Sequence, residues 1–154
     1  MFELDTFDLK ILQLVQDNAR ISQQELGQRI HLSTAAVSRR LKRLDDAGVI
    51  RAYQAEIDPS ALGIHLSVIA LLEVNDESQL ALSALRQSFL ECPAIQHSYY
   101  VTGEWDFILI FKLRDMQQYT QLSEQLFIQH DNVKKFKSLV VMQQDKASLA
   151  LPFF

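Results

Sequence analysis

Near the start of the chain, apolar residues recur at helical spacing: Leu9, Leu12 and Val15, with Ile11 and Leu14 alongside. Asp5 precedes them and can accept a hydrogen bond from a free N–H of the first turn, so the spacing predicts a first helix. The stretch "SQQE", residues 22–25, has capping-box spacing, in which Ser22 caps the third helical N–H and Glu25 reaches back to the cap amide. A second helix from about Gln23 to Ile30 follows. "HLS" then breaks the pattern, Ser33 caps a third helix, and Gly48 is its left-handed stop. Gly27 sits inside the second helix, where glycine costs about 1 kcal/mol against alanine, and is therefore expected to permit a close approach of the next helix. Two short helices joined by a tight turn make a helix-turn-helix.

The pattern changes further along. "GVIRAYQAEID" is rich in β-prone residues and predicts an extended linker strand that ends at the turn "DPSALG". That places a boundary near residue 60, between the helix-turn-helix unit over 1–60 and a second unit over 61–154. The second unit orders its elements as strand, helix, strand, twice over: "HLSVIALLEV", a helix from Glu77 to Glu91, "IQHSYYV", then "WDFILIFKL", a helix from Met116 to Ile128, and "VKKFKSLVVM". Leu82, Leu85 and Phe89 in one helix match Tyr119, Leu122 and Leu126 in the other. Such a split βαβ pair is an α+β, ferredoxin-like βαββαβ domain with helices on one side of a four-stranded antiparallel sheet. Apolar strands such as "SVIALL" and "FILIF" call for cover on the other side, which a second copy of the chain can supply.

Charge sharpens this picture. The chain of 154 residues carries a net charge of −4 and is 48% hydrophobic, enough to bury one core or two small ones. Residues 20–51 nevertheless hold seven Lys/Arg against three Asp/Glu, while 61–154 hold seven against ten. Arg39, Arg40, Lys42 and Arg43 crowd onto the third helix with no acid four residues before any of them. At about 100° per residue, Val37, Leu41 and Leu44 form one stripe, while Ala35, Ser38, Arg39 and Lys42 lie opposite. Small residues at the start of an outward basic face let a helix enter the major groove of double-stranded DNA, where arginine reads guanine edges. The expected DNA-contacting set is Ser33, Thr34, Ala35, Ser38, Arg39, Lys42 and Arg43, with Arg43 and Arg40 better placed for phosphates or intramolecular carboxylates. No apolar run approaches the roughly 18 residues of a membrane span, and acids occupy the positions where a signal peptide has cations. The expected location is the cytoplasm, without a membrane partner. The lone Cys92 suits a reducing compartment as a buried thiol.

Residues 4–63, with "LDTFDLKIL", "NARIS", the "LS" turn, "RRLKRL" and "GVIRAYQAEIDPSALG", are similar to the DNA-binding half of the leucine-responsive/asparagine regulator (Lrp/AsnC) family, and the similarity runs on to the C-terminus. It implies a winged-type helix-turn-helix followed by an effector-binding and assembly domain that pairs through its sheet, with dimers associating further, an octamer being the expected size. The loop "VTGEWDF" is the candidate effector site: Gly103 can adopt positive φ and expose N–H groups, and Asp106 offers a carboxylate to an ammonium group. Taken alone, such a stretch is more often a hairpin turn. The resemblance implies an amino-acid effector around this glycine and aspartate, at an interface between dimers, and adds Ser138, where the family commonly has threonine. Thr102, Glu104, Trp105 and Tyr100 complete the expected set, and Phe107 is either pocket lining or core.

An enzyme is the rival of a different class, since sirohaem decarboxylases share this fold and His97 can serve as an acid. Against it, His31, His65, His97 and His130 lack metal-ligand spacing, no nucleophile has a base nearby, and the four glycines make no phosphate loop. No catalytic residue, metal or resident cofactor is therefore expected. An architectural DNA-binding protein, with a purely structural loop, is the third reading.

Overall fold

In the computed structural model, which describes residues 3–153, the chain divides into two units. One holds the residues up to Glu56 together with those from Lys146 onward; the other is Ile57–Asp145. The last nine positions thus belong with the first unit, whereas the sequence pattern grouped them with the second.

The first unit is three helices, α1 (Thr6–Asp17), α2 (Gln23–Ile30) and α3 (Thr34–Asp46). Each starts on a side-chain cap. Asp5 accepts from the Asp8 N–H at 2.9 Å and Asp8 accepts from the Asp5 N–H at 3.1 Å, a reciprocal box at the start of α1. Ser22 and Ser33 cap α2 and α3 through the amides of Glu25 and Ala36. The second half of the box expected at Ser22 is not formed: Glu25 lies one turn before Arg29 and takes its guanidinium at 2.7 Å. Ile11, Leu26, Ile30, Val37 and Leu44 form a core in which none is more than 4% exposed. Gly27 does serve a close approach, but to the turn rather than to α3: a Cβ there would lie 2.4 Å from the Leu32 carbonyl oxygen. His31 makes that turn in the left-handed region, at φ 60°. The expected linker strand is absent. Residues 51–58 are exposed and, among the described residues, unpaired with any strand, and an extended segment becomes a strand only when another offers its hydrogen bonds. Residues 146–154 include a clasp in which the Gln16 amide donates to the Leu151 carbonyl and accepts from the Leu151 N–H, both at 2.9 Å.

The second unit begins with a short 3-10 turn, Pro59–Leu62, capped by Asp58. It continues through β1 (Leu66–Val74), α4 (Gln79–Leu90), β2 (Ile95–Tyr100), β3 (Phe107–Leu113), α5 (Met116–Ser123) and β4 (Val133–Val140). The sheet runs β2-β3-β1-β4 with every pairing antiparallel, the ferredoxin-like arrangement. Period-two alternation sends Phe107, Leu109, Phe111 and Leu113 under the helices, where Phe89 meets Phe107 edge-on at 5.4 Å and Tyr119 meets Phe111 at 5.6 Å. Phe107 is therefore core. At the end of α5 a π turn, Glu124–Ile128, widens the spiral, so Phe127 rather than Leu126 reaches full burial. On the opposite side of the sheet, Ile69, Leu71, Ile108 and Ile110 are half-buried, while Tyr99 and Leu139 are 48% and 40% exposed.

Replacing Gly27 by alanine separates two effects of opposite sign. Helix propensity favours alanine by about 1 kcal/mol, whereas forcing a methyl against a fixed carbonyl costs about 1–3 kcal/mol, so the first unit should be destabilised on balance. Hydrogen exchange should quicken at the amides of α2 and α3 and stay unchanged in β1–β4; slower exchange in α2 would show that the turn relaxes.

Candidate nucleic-acid interface and effector loop

Helix α3 is positioned by its apolar stripe. Val37 and Leu44 are wholly buried, so the opposite side must face out, and Ser33, Thr34, Ala35, Ser38, Arg39 and Lys42 are all exposed. Five of these stand within little more than two turns, with short side chains before the long cations. The other two cations of the run are turned aside. Arg40 donates from Nη1 to Asp8 Oδ1 at 2.8 Å and to Asp5 Oδ2 at 2.7 Å, and its guanidinium lies 5.4 Å from the Phe7 ring centre. Arg43, expected to face phosphate, donates from Nη2 to Asp8 Oδ2.

Asp8 is the residue that the sequence pattern did not single out. Its side chain is wholly buried, and its carboxylate joins two helices far apart in the chain. The signal was present in two halves. Asp8 precedes Ile11 and Val15 by three and seven positions, which puts a carboxylate on the buried stripe of α1, while the cations of α3 lack acids of their own. Neither half is informative until the two helices are known to touch. The electrostatics of its neighbour follow: the Asp5 carboxyl is held below its ordinary value, chiefly by the Asp8 N–H and next by the Arg40 guanidinium. Arg40 is raised, first by Asp5 and then by Asp8.

The loop between β2 and β3 is stitched to the sheet by its own backbone and by Asp106. The Val101 N–H donates to the Asp106 carbonyl at 2.8 Å, the Asp106 N–H donates to the Leu72 carbonyl at 2.8 Å, and the Asp106 carboxylate accepts from the Val74 N–H at 2.8 Å. Gly103 has φ 128°, a conformation that side chains resist, and Thr102, Gly103 and Glu104 are exposed. Trp105 lies under the Lys135 ammonium, 5.0 Å from the ring centre, and Lys135 is in turn paired with Glu73 at 2.6 Å. Glu73 is held below its ordinary value by Lys134 and then Lys135, so β1, β4 and the loop share one polar cluster that the sequence pattern did not reveal.

The remaining expected residues stand further off. Ser138 pairs across from Ala70, and its hydroxyl bonds to the hydroxyl of Tyr119. Tyr100 sends its hydroxyl to Glu77 at 3.2 Å, with the Arg86 guanidinium 4.9 Å from its ring centre. His97 is stacked on Tyr99 on the open side of the sheet and does not enter the loop. Among the described residues, no three His, Cys, Asp or Glu side chains are grouped to hold a metal ion, and no helix is long and apolar enough to cross a membrane.

Comparison with known proteins agrees with this division of labour. Residues 4–51 match a model described as winged helix-turn-helix DNA-binding, and residues 67–151 match the Lrp/AsnC ligand binding domain. A helix-turn-helix transcriptional regulator of Sinorhizobium fredii is 36% identical over 150 residues, covering 97% of this chain and 89% of that protein. The leucine-responsive regulatory protein of Rhizobium meliloti is 31% identical over 144 residues, covering 94% and 92%. Among solved structures, a transcriptional regulator from Neisseria meningitidis in complex with L-Met superposes with a TM-score of 0.90 at 30% identity, covering 97% of each chain.

The Asp5 geometry fixes the sign of a pH effect. Its folded-state value is depressed from 3.8, so the contribution of its charge to stability is fully present above that value and is lost as pH falls through the lower folded value. The difference in urea unfolding stability between the protein and Asp5→Asn, which keeps a capping side chain, should be constant from neutral pH down to about pH 5 and shrink toward zero in stronger acid. A difference that grows on acidification would contradict the ion pair.

Proposed function

Because this chain belongs to the Lrp/AsnC family of transcription regulators, we propose that the exposed face of α3 reads operator DNA and that the loop carrying Gly103 and Asp106 senses an amino acid. The chain is a DNA-binding transcription regulator rather than an enzyme. The observation that carries the DNA reading is the split of its basic run: Arg39 and Lys42 stand on the exposed face with Thr34, Ala35 and Ser38, while Arg40 and Arg43 turn to carboxylates of α1. Arg39 is then the base-reading cation, Ser38 and Thr34 are short polar groups able to approach base edges, and Lys42 is a phosphate or base contact. The part up to the boundary near residue 60 acts on DNA, and the part from 61 onward carries the effector and assembly functions, except that the residues from Lys146 onward group with the first unit.

The effector reading is supported by the positive φ of Gly103, by the exposure of Thr102, Gly103 and Glu104, and by the L-Met bound to the related regulator. One oxygen of Asp106 holds the Val74 amide, which leaves the carboxylate charge and its other oxygen for an ammonium group. Tyr100, Thr102, Glu104, Trp105 and Ser138 are the surrounding candidates. The loop is exposed, so closure around a ligand requires a further subunit, which fits a site between dimers. The half-buried apolar side of the sheet is the surface through which two copies pair, and such dimers associate further, an octamer being the expected assembly. The effector biases assembly by its difference in affinity for the assembled and dissociated states, and assembly sets which half-sites are occupied together. The protein acts in the cytoplasm, without a membrane partner or a resident cofactor.

Two measurements test the two sites. Arg39→Ala should weaken binding to a duplex selected by the protein by about 1–3 kcal/mol and relax the preference at one position. Equal loss on selected and random duplexes would remove Arg39 from base reading. A thermal-shift screen of the proteinogenic amino acids should return a stabilising ligand. Calorimetry with that ligand should then show at least a tenfold loss for Asp106→Asn, as expected for a charge-assisted bond of about 1.5–3 kcal/mol, and a loss for Gly103→Val. Undiminished binding by Asp106→Asn would leave its carboxylate as an anchor of the loop alone, and the absence of any ligand would favour the architectural reading.

A further inference from the structure

Helix α3 carries Arg39, Arg40, Lys42 and Arg43, yet α1 supplies carboxylates to two of these. We propose that Asp8 is a positioning residue for DNA recognition, holding Arg40 and Arg43 in internal ion pairs so that phosphate attraction falls to the outward cations and sequence readout is not swamped by it. This restraint rests on the proposal that α3 faces DNA.

Three observations carry it. The Asp8 side chain is wholly buried, so its carboxylate has no water and must be met by protein donors. Those donors are Arg40 Nη1 at 2.8 Å, Arg43 Nη2, and the Asp5 N–H at 3.1 Å, which together occupy both oxygens. The restraint is also graded. The Arg40 side chain is 26% exposed and shared between Asp8, Asp5 and the Phe7 ring, whereas the Arg43 side chain is 48% exposed. Attraction to phosphate is independent of sequence and strengthens every site alike, so each cation withheld from the backbone raises the ratio of selected to random binding. A carboxylate next to the recognition helix is an internal competitor for the phosphates. It is aimed by α1, whose first turn places Asp8 on the same stripe as Ile11 and Val15.

The test uses the full chain and a random-sequence duplex, with affinity measured over a range of salt. Each phosphate neutralised adds about 0.9 to the slope of log affinity against log salt. Asp8→Asn removes the charge with little change of shape, so its slope should steepen by about one to two for each DNA-contacting subunit, and the ratio of selected to random binding should fall severalfold. A merely structural role would weaken binding without steepening the slope, and that result overturns the proposal. Circular dichroism checks the fold. Should Asp8→Asn not fold, Arg43→Gln answers the same question, since it leaves Arg40 on Asp8 and replaces a half-exposed side chain. Its slope should equal that of the unaltered protein, and a slope lower by about one would show that Arg43 leaves Asp8 for phosphate. Lys42→Gln, at the outward cation able to contact phosphate, is the control: its slope must fall, and an unchanged slope there would refute the placement of α3 on DNA rather than the restraint.

Discussion

A carboxylate that has given up its water must be answered from within the protein, and the cost of failing to do so is several kcal/mol for each ion. In the DNA-binding unit that condition falls on Asp8. Two guanidinium groups and one backbone N–H meet it, and because the guanidinium groups belong to α3, the rotation of that helix about its axis is tied to α1 as well as to its apolar stripe. Packing by Val37 and Leu44 sets which side of the helix is buried, and the contacts to Asp8 add a second constraint of a different kind. Ion pairs and hydrogen bonds are directional, and they hold Ser38, Arg39 and Lys42 outward. Removing one partner of such a pair is the damaging change, at about 3–5 kcal/mol, because the remaining charge stays buried.

The two units place their polar chemistry differently. In the first, charge is brought inward to hold a helix. In the second, the side of the sheet under the helices is mostly apolar, with Ser123 and Asn132 the buried polar residues, and a charged cluster sits at one end, where Glu73, Lys134, Lys135 and Trp105 gather beside the loop that Asp106 anchors. Exposed pairs of this kind contribute little to stability.

Much of this was legible in the chain. Caps at Asp5, Ser22 and Ser33, the stripe of α3, and the doubled strand-helix-strand order all follow from local chemistry, and local chemistry is what a sequence displays. Two of the departures turn on contact between residues distant in sequence, present or lacking, and the third on a local change of helix phase. Asp8 became meaningful only against α3; the linker at 51–58 lacks a strand because nothing in the chain pairs with it; and Phe127 displaced Leu126 because the π turn changes the phase of the helix. The candidate effector residues show the same limit. Thr102–Asp106 are gathered by one loop, but Ser138 points to Tyr119 and Tyr100 to Glu77, pairings that spacing along the chain does not announce.

The clasp between Gln16 and Leu151 touches only main-chain atoms of the second partner. A contact of that kind is blind to the side chain it holds and rejects only proline, which lacks the N–H. The sequence of the tail is therefore free to drift, while its length is not, since one residue more or less moves a different amide into register. Because 146–154 and the helices of the first unit bracket 57–145, the effector-binding segment is an insertion within the DNA-binding unit, with two junctions rather than one. An exchange of that segment must therefore match two junctions, and the number of residues from β4 to the clasp is what the second junction fixes.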